Sequence, residues 1–196
     1  PSISQIIALL ACAELGGTCV PLEPTAEPAE LEAIVANASP HAILVTQQHS
    51  ELRFGARVLR LQDLEASCAP AASRFRRAQA SDVAYVMYAA EAARGVGLTH
   101  ANVVGLLDSI QPTIGFGAHD ALAYTQSPTS TAAVRALWAA LSFGARLVIP
   151  HEASRDAQGQ LALIRDEKVT VLVQDAAEIA AFVHSEAKLP LGALPD

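Results

Sequence analysis

Cys12, Cys19 and Cys68 are the chain's three thiols. In principle a thiol can be a nucleophile, a metal ligand or a disulfide partner. The number is odd and no C-x-x-C occurs, so the spacing points to reduced, mostly buried cysteines; a catalytic cysteine has no support beyond its presence. The six histidines (His41, His49, His100, His119, His151 and His184) include no H-x-x-x-H pair, the spacing by which one helix face offers two ligands to zinc. Ser127, Ser130 and Ser142 lack the G-x-S-x-G context of an activated serine. Asp175 has the chemistry of a general base, yet it stands where a carboxylate caps a helix. Glu152, Asp156, Asp166 and Glu167 read as solvated charge. Gly95-Val96-Gly97 opens like the dinucleotide fingerprint G-x-G-x-x-G, but the sixth position is His100 and the match fails. A close approach between strands is the plainer reading of those glycines.

The elements that would position these residues alternate throughout. Ile3, Ile6, Ile7, Leu10 and Ala11 have helical spacing over Ile3 to Leu15, and Gly16-Gly17 stops that helix. Thr18 to Leu22 is expected as a short strand ended by Pro21 and Pro24. Glu27 to Ala38 is expected as a helix with Pro28 in its first turn. His41 to Thr46 (HAILVT) reads as a buried strand, and Arg57 to Leu61 as another. Val83 to Tyr88 (VAYVMY) is a strand and Val96 to Leu98 a short one. A helix follows from Thr99 or His100 to about Ile114, with Thr99 able to cap it. Further on come strand Ala121 to Thr125, helix Thr131 to Phe143 closed by Gly144, and strand Ala145 to Ile149. The series ends with helix Ala157 to Glu167, strand Val169 to Val173 and helix Asp175 to His184. Apolar strands separated by helices of about 10 to 15 residues imply an α/β fold, mostly parallel sheets with flanking helices. Residues 65–82, rich in Ala, Ser and Arg and without periodicity, are expected to link a first subdomain portion (1–64) to a second (83–196).

Composition excludes several classes. A chain of 196 residues buries roughly 70% of its unfolded surface and needs no disulfide or metal staple. The apolar fraction is 52% and mean hydropathy +0.30, yet no window approaches the roughly 18 apolar residues of a membrane span. The opening PSISQIIALLACAELGG has no basic n-region and contains Glu14, so it reads as an amphipathic helix and not a signal peptide. Net charge is -7 from 13 basic and 20 acidic residues. Arg74, Arg76 and Arg77, with Arg53, Arg57 and Arg60 nearby, form the one basic cluster and read as solvated loop charge, so nucleic acid is not an expected partner. A cytoplasmic location is expected.

Five segments, in order, resemble the adenylation domains of nonribosomal peptide synthetases, members of the AMP-forming ligase superfamily. LLACAELGGTCVPLEPTAEPAELEAIVANASPHAILVT is similar to that family's helix, Gly-Gly turn, V-P-L-D-P segment and following helix-strand. SDVAYVMY resembles the strand entering the phosphate loop, and GVGLTHANVVGLL the segment just after it, with Thr99-His100 matching a Thr-His pair. AVRALWAALSFGARLVIP and LIRDEKVTVLV resemble later helix-strand pairs. The resemblance spans nearly the whole chain. It implies the N-terminal portion of a fold that joins a carboxylic acid to AMP from ATP and passes the acyl group to a thiol.

The sequence departs from the family where the chemistry is done. The family's phosphate loop is rich in Ser, Thr and Gly and ends in a lysine, because backbone N–H groups and hydroxyls must wrap a polyanion closely. Here Tyr88 is followed by Ala89-Ala90-Glu91-Ala92-Ala93-Arg94 and then Gly95. The segment is shorter by a few residues, and Glu91 puts a carboxylate where phosphates would sit. Arg94 falls near the family lysine. At the substrate pocket, alignment through Trp138 and Gly144 puts Thr131 where amino-acid-activating members carry an aspartate for the substrate's amino group. Ser127-Pro128-Thr129-Ser130 lacks the family's aromatic character. The family's Gly-Gly-Glu turn, Y-G-P-T-E segment, ribose-binding aspartate and small C-terminal domain have no counterpart in these residues.

The resemblance and its departures together imply a degenerate, catalytically inactive pseudo-adenylation domain of natural product biosynthesis. Residues 89–95 are then a vestigial phosphate loop and Thr131 a vestigial substrate position. No cofactor is expected, and partners would be neighbouring synthetase domains or a second copy. The alternative is a fragment of a working ligase that activates a non-amino carboxylic acid with ATP and Mg²⁺. A plain α/β binding module for another small ligand is a third reading.

Overall fold

The computed structural model describes residues 2–46, 57–66, 77–88, 94–150, 157–174 and 180. The chain divides into two compact units, one of Ile3–Ala101 and one from Asn102 onward that includes Ser2. Of the expected 65–82 linker, residues 67–76 lie outside the described residues. The strand Val83–Tyr88, expected in the second subdomain portion, belongs to the first unit.

In the first unit, α1 (Ile3–Glu14) ends as the glycines require: Gly16 takes φ 66, and Gly17 N–H donates to the Cys12 carbonyl at 2.9 Å. Helix α2 (Pro28–Ala38) has Pro28 in its first turn and stops at Ser39, which adopts a left-handed φ of 45 and donates its N–H to Val35 O. Its Leu31 and Val35 are buried. Val35 packs with Ile43 and Val45 of β1 (Ile43–Val45), with Leu22 and Val58 alongside. Strand β2 (Val58–Arg60) pairs parallel to β1, and α3 (Leu61–Ala66) follows it directly. Strand β1 buries one face only, since Leu44 between its two buried residues is 42% exposed.

One expectation is corrected here. Thr18 to Leu22 is not a strand: one bridge forms, between Cys19 and Tyr85. Pro21 has no N–H to continue that ladder. In addition, β3 (Val83–Tyr88) and β4 (Gly95–Thr99) pair antiparallel, from Val83↔Thr99 to Tyr88↔Gly95. Consecutive in sequence and antiparallel, they form a hairpin and not a crossover. The remaining named pairings among the described strands are parallel.

The second unit has a three-stranded parallel sheet in the order β6-β5-β7, from β5 (Ala121–Ala123), β6 (Arg146–Val148) and β7 (Val171–Leu172). Helix α4 (His100–Ile114) precedes the sheet. Pro112 lacks the N–H for an interior bond, and the helix ends two residues later, with Gly115 N–H on Gln111 O. Helix α5 (Thr131–Phe143) opens on the Ser130 hydroxyl, which accepts from Ala133 N–H at 3.1 Å, and closes on Gly144 at φ 76. Ala133, Ala136, Ala139 and Ala140 are fully buried, so small side chains set the depth at which the helix packs. Leu107, Phe116, Leu122, Ala139, Ala140 and Ala145 form the core, and Phe116 stacks on Phe143 with centroids 6.3 Å apart. Helix α6 (Ala157–Asp166) connects β6 to β7. We expect Ser130→Ala to cost about 1 kcal/mol by orphaning a first-turn N–H, measured by chemical denaturation.

Asp120 pins the start of this sheet. Its carboxylate accepts from Gly117 N–H at 2.9 Å and from the Thr170 hydroxyl at 2.8 Å, and that hydroxyl accepts from Ala121 N–H at 3.0 Å. The Thr170 bond, then the Gly117 bond, hold its carboxyl below the usual range, with His119 nearby adding to the effect. A lowered folded-state pKa stabilises above the unfolded value, and that contribution is lost as pH falls through the folded one. Asp120→Asn therefore flattens the loss of stability below about pH 4, read from denaturant midpoints at a series of pH values.

Candidate phosphate loop and substrate position

The segment expected as a vestigial phosphate loop falls between β3 and β4 in the sequence. Residues 89–93 lie outside the described residues; Tyr88 and Gly95, directly paired, mark where the loop leaves and returns. The Tyr88 hydroxyl donates to Asn37 Oδ1 on α2 at 2.6 Å. A Cβ on Gly95 would lie 2.4 Å from Val86 Cγ1 and 2.8 Å from Tyr88 Cζ. Glycine is thus needed here for the approach of strand to side chain, as the plainer sequence reading had it. Gly97 is under no such pressure, with Val83 Cγ1 3.5 Å from its imagined Cβ. Arg94 is exposed at the hairpin's return. Two residues past Leu98, His100 starts α4, its N–H on the Asp82 carbonyl; its Nε2 is buried without a hydrogen-bond partner among the described residues.

Thr131 is the first residue of α5, exposed, just past the turn that leaves β5. The carboxyl edge of parallel strands is where open α/β sheets bind ligands, so the position is apt for a pocket. Its hydroxyl neighbours are engaged locally. Ser130 caps α5, and the Ser127 hydroxyl lies 2.8 Å from that of Thr129 and accepts from Thr129 N–H at 3.3 Å. Ser142 is exposed on α5. Glu167 pairs with Arg146 at 2.7 Å, whereas Glu152, Asp156 and Asp175 lie outside the described residues. Among the described residues no three His, Cys, Asp or Glu side chains gather as a metal site.

Sequence reading missed the amides at the same sheet edge. Gln126 follows β5 and is 2% exposed. Gln174 follows β7, donates to Gln160 Oε1 at 2.9 Å and keeps a buried Oε1 without a hydrogen-bond partner among the described residues. Tyr124, two residues before Gln126, is buried, and burial pushes its phenol up to about 12. Polar residues immediately after an apolar run were the available signal.

The family model for AMP-binding enzymes matches residues 1–188. The chain belongs to the AMP-binding enzyme family. Syringomycin synthase SyrB1 of Pseudomonas syringae pv. syringae is 30% identical over 179 residues, 88% of this chain and 29% of that protein. The hybrid PKS-NRPS synthetase LUC5 of a Fusarium species is 30% identical over 205 residues, 94% of this chain and 5% of that protein. The fold superposes on the nonribosomal peptide synthetase FmoA3, in its form bound to alpha-methyl-L-serine-AMP, with a TM-score of 0.85 and 22% identity, covering 98% of this chain and 22% of that one. The chain therefore spans less than a third of these relatives. It corresponds to the N-terminal portion of an adenylation domain of the synthetase type, with the α/β fold expected from its segments. Among its described residues, no helix is long and apolar enough to cross a membrane.

Proposed function

We propose that this AMP-binding family member is a non-catalytic adenylation domain of a nonribosomal peptide synthetase or hybrid megasynthase, with a structural or docking role. The observation that carries the reading is the run Ala89 to Arg94, which holds no Ser, Thr or Gly to cradle a triphosphate and places Glu91 among its alanines. The packing of Gly95 supports it. That glycine's missing side chain makes room for Val86 and Tyr88, so its presence needs no nucleotide to explain it. With these residues ATP and Mg²⁺ do not fit the loop, and no catalytic step is assigned.

Exposed apolar side chains support the docking role. Val104, Leu106, Ile114 and Leu141 of the second unit are each more than a third exposed. The natural occupants are neighbouring domains of the same synthetase, or a second copy. Light scattering of this chain tests the role: association is expected, and a well-behaved monomer counts against it. The neutral Thr131 favours one rival, a ligase fragment for a non-amino carboxylic acid, since such a substrate offers no ammonium to pair. ATP–pyrophosphate exchange separates the two, with exchange above background supporting the rival.

A further inference from the structure

Gly97 is the glycine of the Gly95-Val96-Gly97 run that its own hairpin does not explain. A Cβ there would meet Val83 Cγ1 at 3.5 Å and Cγ2 at 3.8 Å, ordinary contact, so packing on β3 does not demand glycine. A glycine inside a strand also marks a place where another backbone comes close. The hydrogen bonds of β3 show which side of β4 is open. Val86 N–H donates to Cys19 O at 2.9 Å, on the side of β3 away from β4. Val86 pairs with Gly97 across the hairpin, so theirs is a non-hydrogen-bonded pair, and Gly97 turns its N–H and C=O to the outer edge. Gly95, two residues earlier, does the same. His100 N–H bonds back to the Asp82 carbonyl at 3.1 Å, as the alternation requires. Among the described strands, β4 pairs with β3 alone. Its outer edge lacks the usual protection of an edge strand. Gly95 to Thr99 holds no charge and no proline, and Val96 is 62% exposed.

We propose that this edge binds a second copy of the chain, whose own β4 adds antiparallel about a two-fold axis at Gly97 and joins the two hairpins into one sheet. The inference rests on the docking role proposed above and names its occupant. In this register the two Gly97 residues exchange both of their N–H···O bonds. Val96 lies opposite the partner's Leu98 on one face, so the exposed valine is covered by an apolar side chain. Charge favours a second copy over a foreign strand. Arg94, exposed, stands just before β4. Asp82 stands at the other end, beside His100, where its Oδ2 accepts from Gln79 N–H at 2.8 Å and has acceptor capacity left. Antiparallel pairing sets Arg94 of each copy opposite the partner's His100, in the row that ends on the partner's Asp82. The cationic end of each edge thus meets the carboxylate end of the other, a match that the chain supplies only to itself.

Sedimentation equilibrium of the whole chain beside its variants tests this. The unaltered chain should rise to double the monomer mass as concentration increases. Val96→Lys should hold it at the monomer mass, because two ammonium groups then face each other diagonally across the pair. Val96 is mostly exposed, so the circular dichroism of this variant should be unchanged. Val104→Lys, in the second unit, should leave the dimer intact. Gly97→Cys reads the contact itself. Its Cβ has room, and Cα atoms of a hydrogen-bonded pair lie about 5.5 Å apart, within disulfide reach. Mild oxidation should therefore link two chains through position 97, identified by peptide mapping without reductant. A chain that stays monomeric leaves the edge to a strand of a neighbouring domain and overturns the second copy as occupant. A dimer that survives Val96→Lys, or that Gly97→Cys does not link, overturns the placement at β4 and leaves the docking role standing. The non-catalytic reading fails separately, by pyrophosphate exchange.

Discussion

Leu122→Ala is expected to destabilise the second unit by about 2 to 5 kcal/mol, the range for removing a buried leucine side chain. Leu122 is fully buried in β5, the middle strand, paired to Leu147 on one side and Val171 on the other. It belongs to the cluster with Leu107, Phe116, Ala139 and Ala140. The loss should fall toward the upper end. The facing residues of α5 are alanines, which have no length to swing into a void, and the strand is hydrogen-bonded along both edges. Domains are typically stable by only about 5 to 15 kcal/mol, so this one substitution removes a large share. A urea titration should show the midpoint falling with its slope unchanged. Leu44→Ala, at a half-exposed position of β1, should cost much less. Equal effects at the two positions would contradict the burial assigned to β5.

The larger expected effect is on catalysis. Adenylate formation is read by exchange of labelled pyrophosphate into ATP, and this chain should exchange no faster than buffer with any carboxylic acid supplied. Loss of one donor to developing charge costs about a hundredfold in rate, and between Ala89 and Arg94 every side-chain hydroxyl and every glycine is missing. Glu91 adds to the deficit. A carboxylate about 4 Å from a phosphate charge costs about 4 kcal/mol at an effective dielectric near 20, about a thousandfold in binding. Arg94 supplies one cation against these losses. Exchange that is above background and abolished by Arg94→Ala would mean that the loop still works.

Which parts of this molecule could be read from its residues follows from how local their causes are. Helix α5 was expected with its observed ends because every signal is local: a serine cap, a helical apolar period and a closing glycine. The strand expected at 18–22 failed because two prolines confine its pairing to Cys19, a limit set by the partner strand as much as by the segment. The β3–β4 hairpin was hidden because strand direction depends on what lies between two strands, and Ala89–Arg94 carries no turn signature. Gly95 looked like part of a motif, but its need is steric and involves Val86 and Tyr88 on the facing strand. Gln126 and Gln174 went unremarked because burial of an amide depends on the helices packed over the sheet edge.

The most direct test of the central claim is calorimetric titration of this chain with ATP and Mg²⁺. A loop without hydroxyls or glycines, carrying Glu91, should give no saturable heat at any concentration up to the millimolar range. A clean isotherm with micromolar affinity would contradict the account, because it would show that the backbone between Tyr88 and Gly95 holds a triphosphate after all.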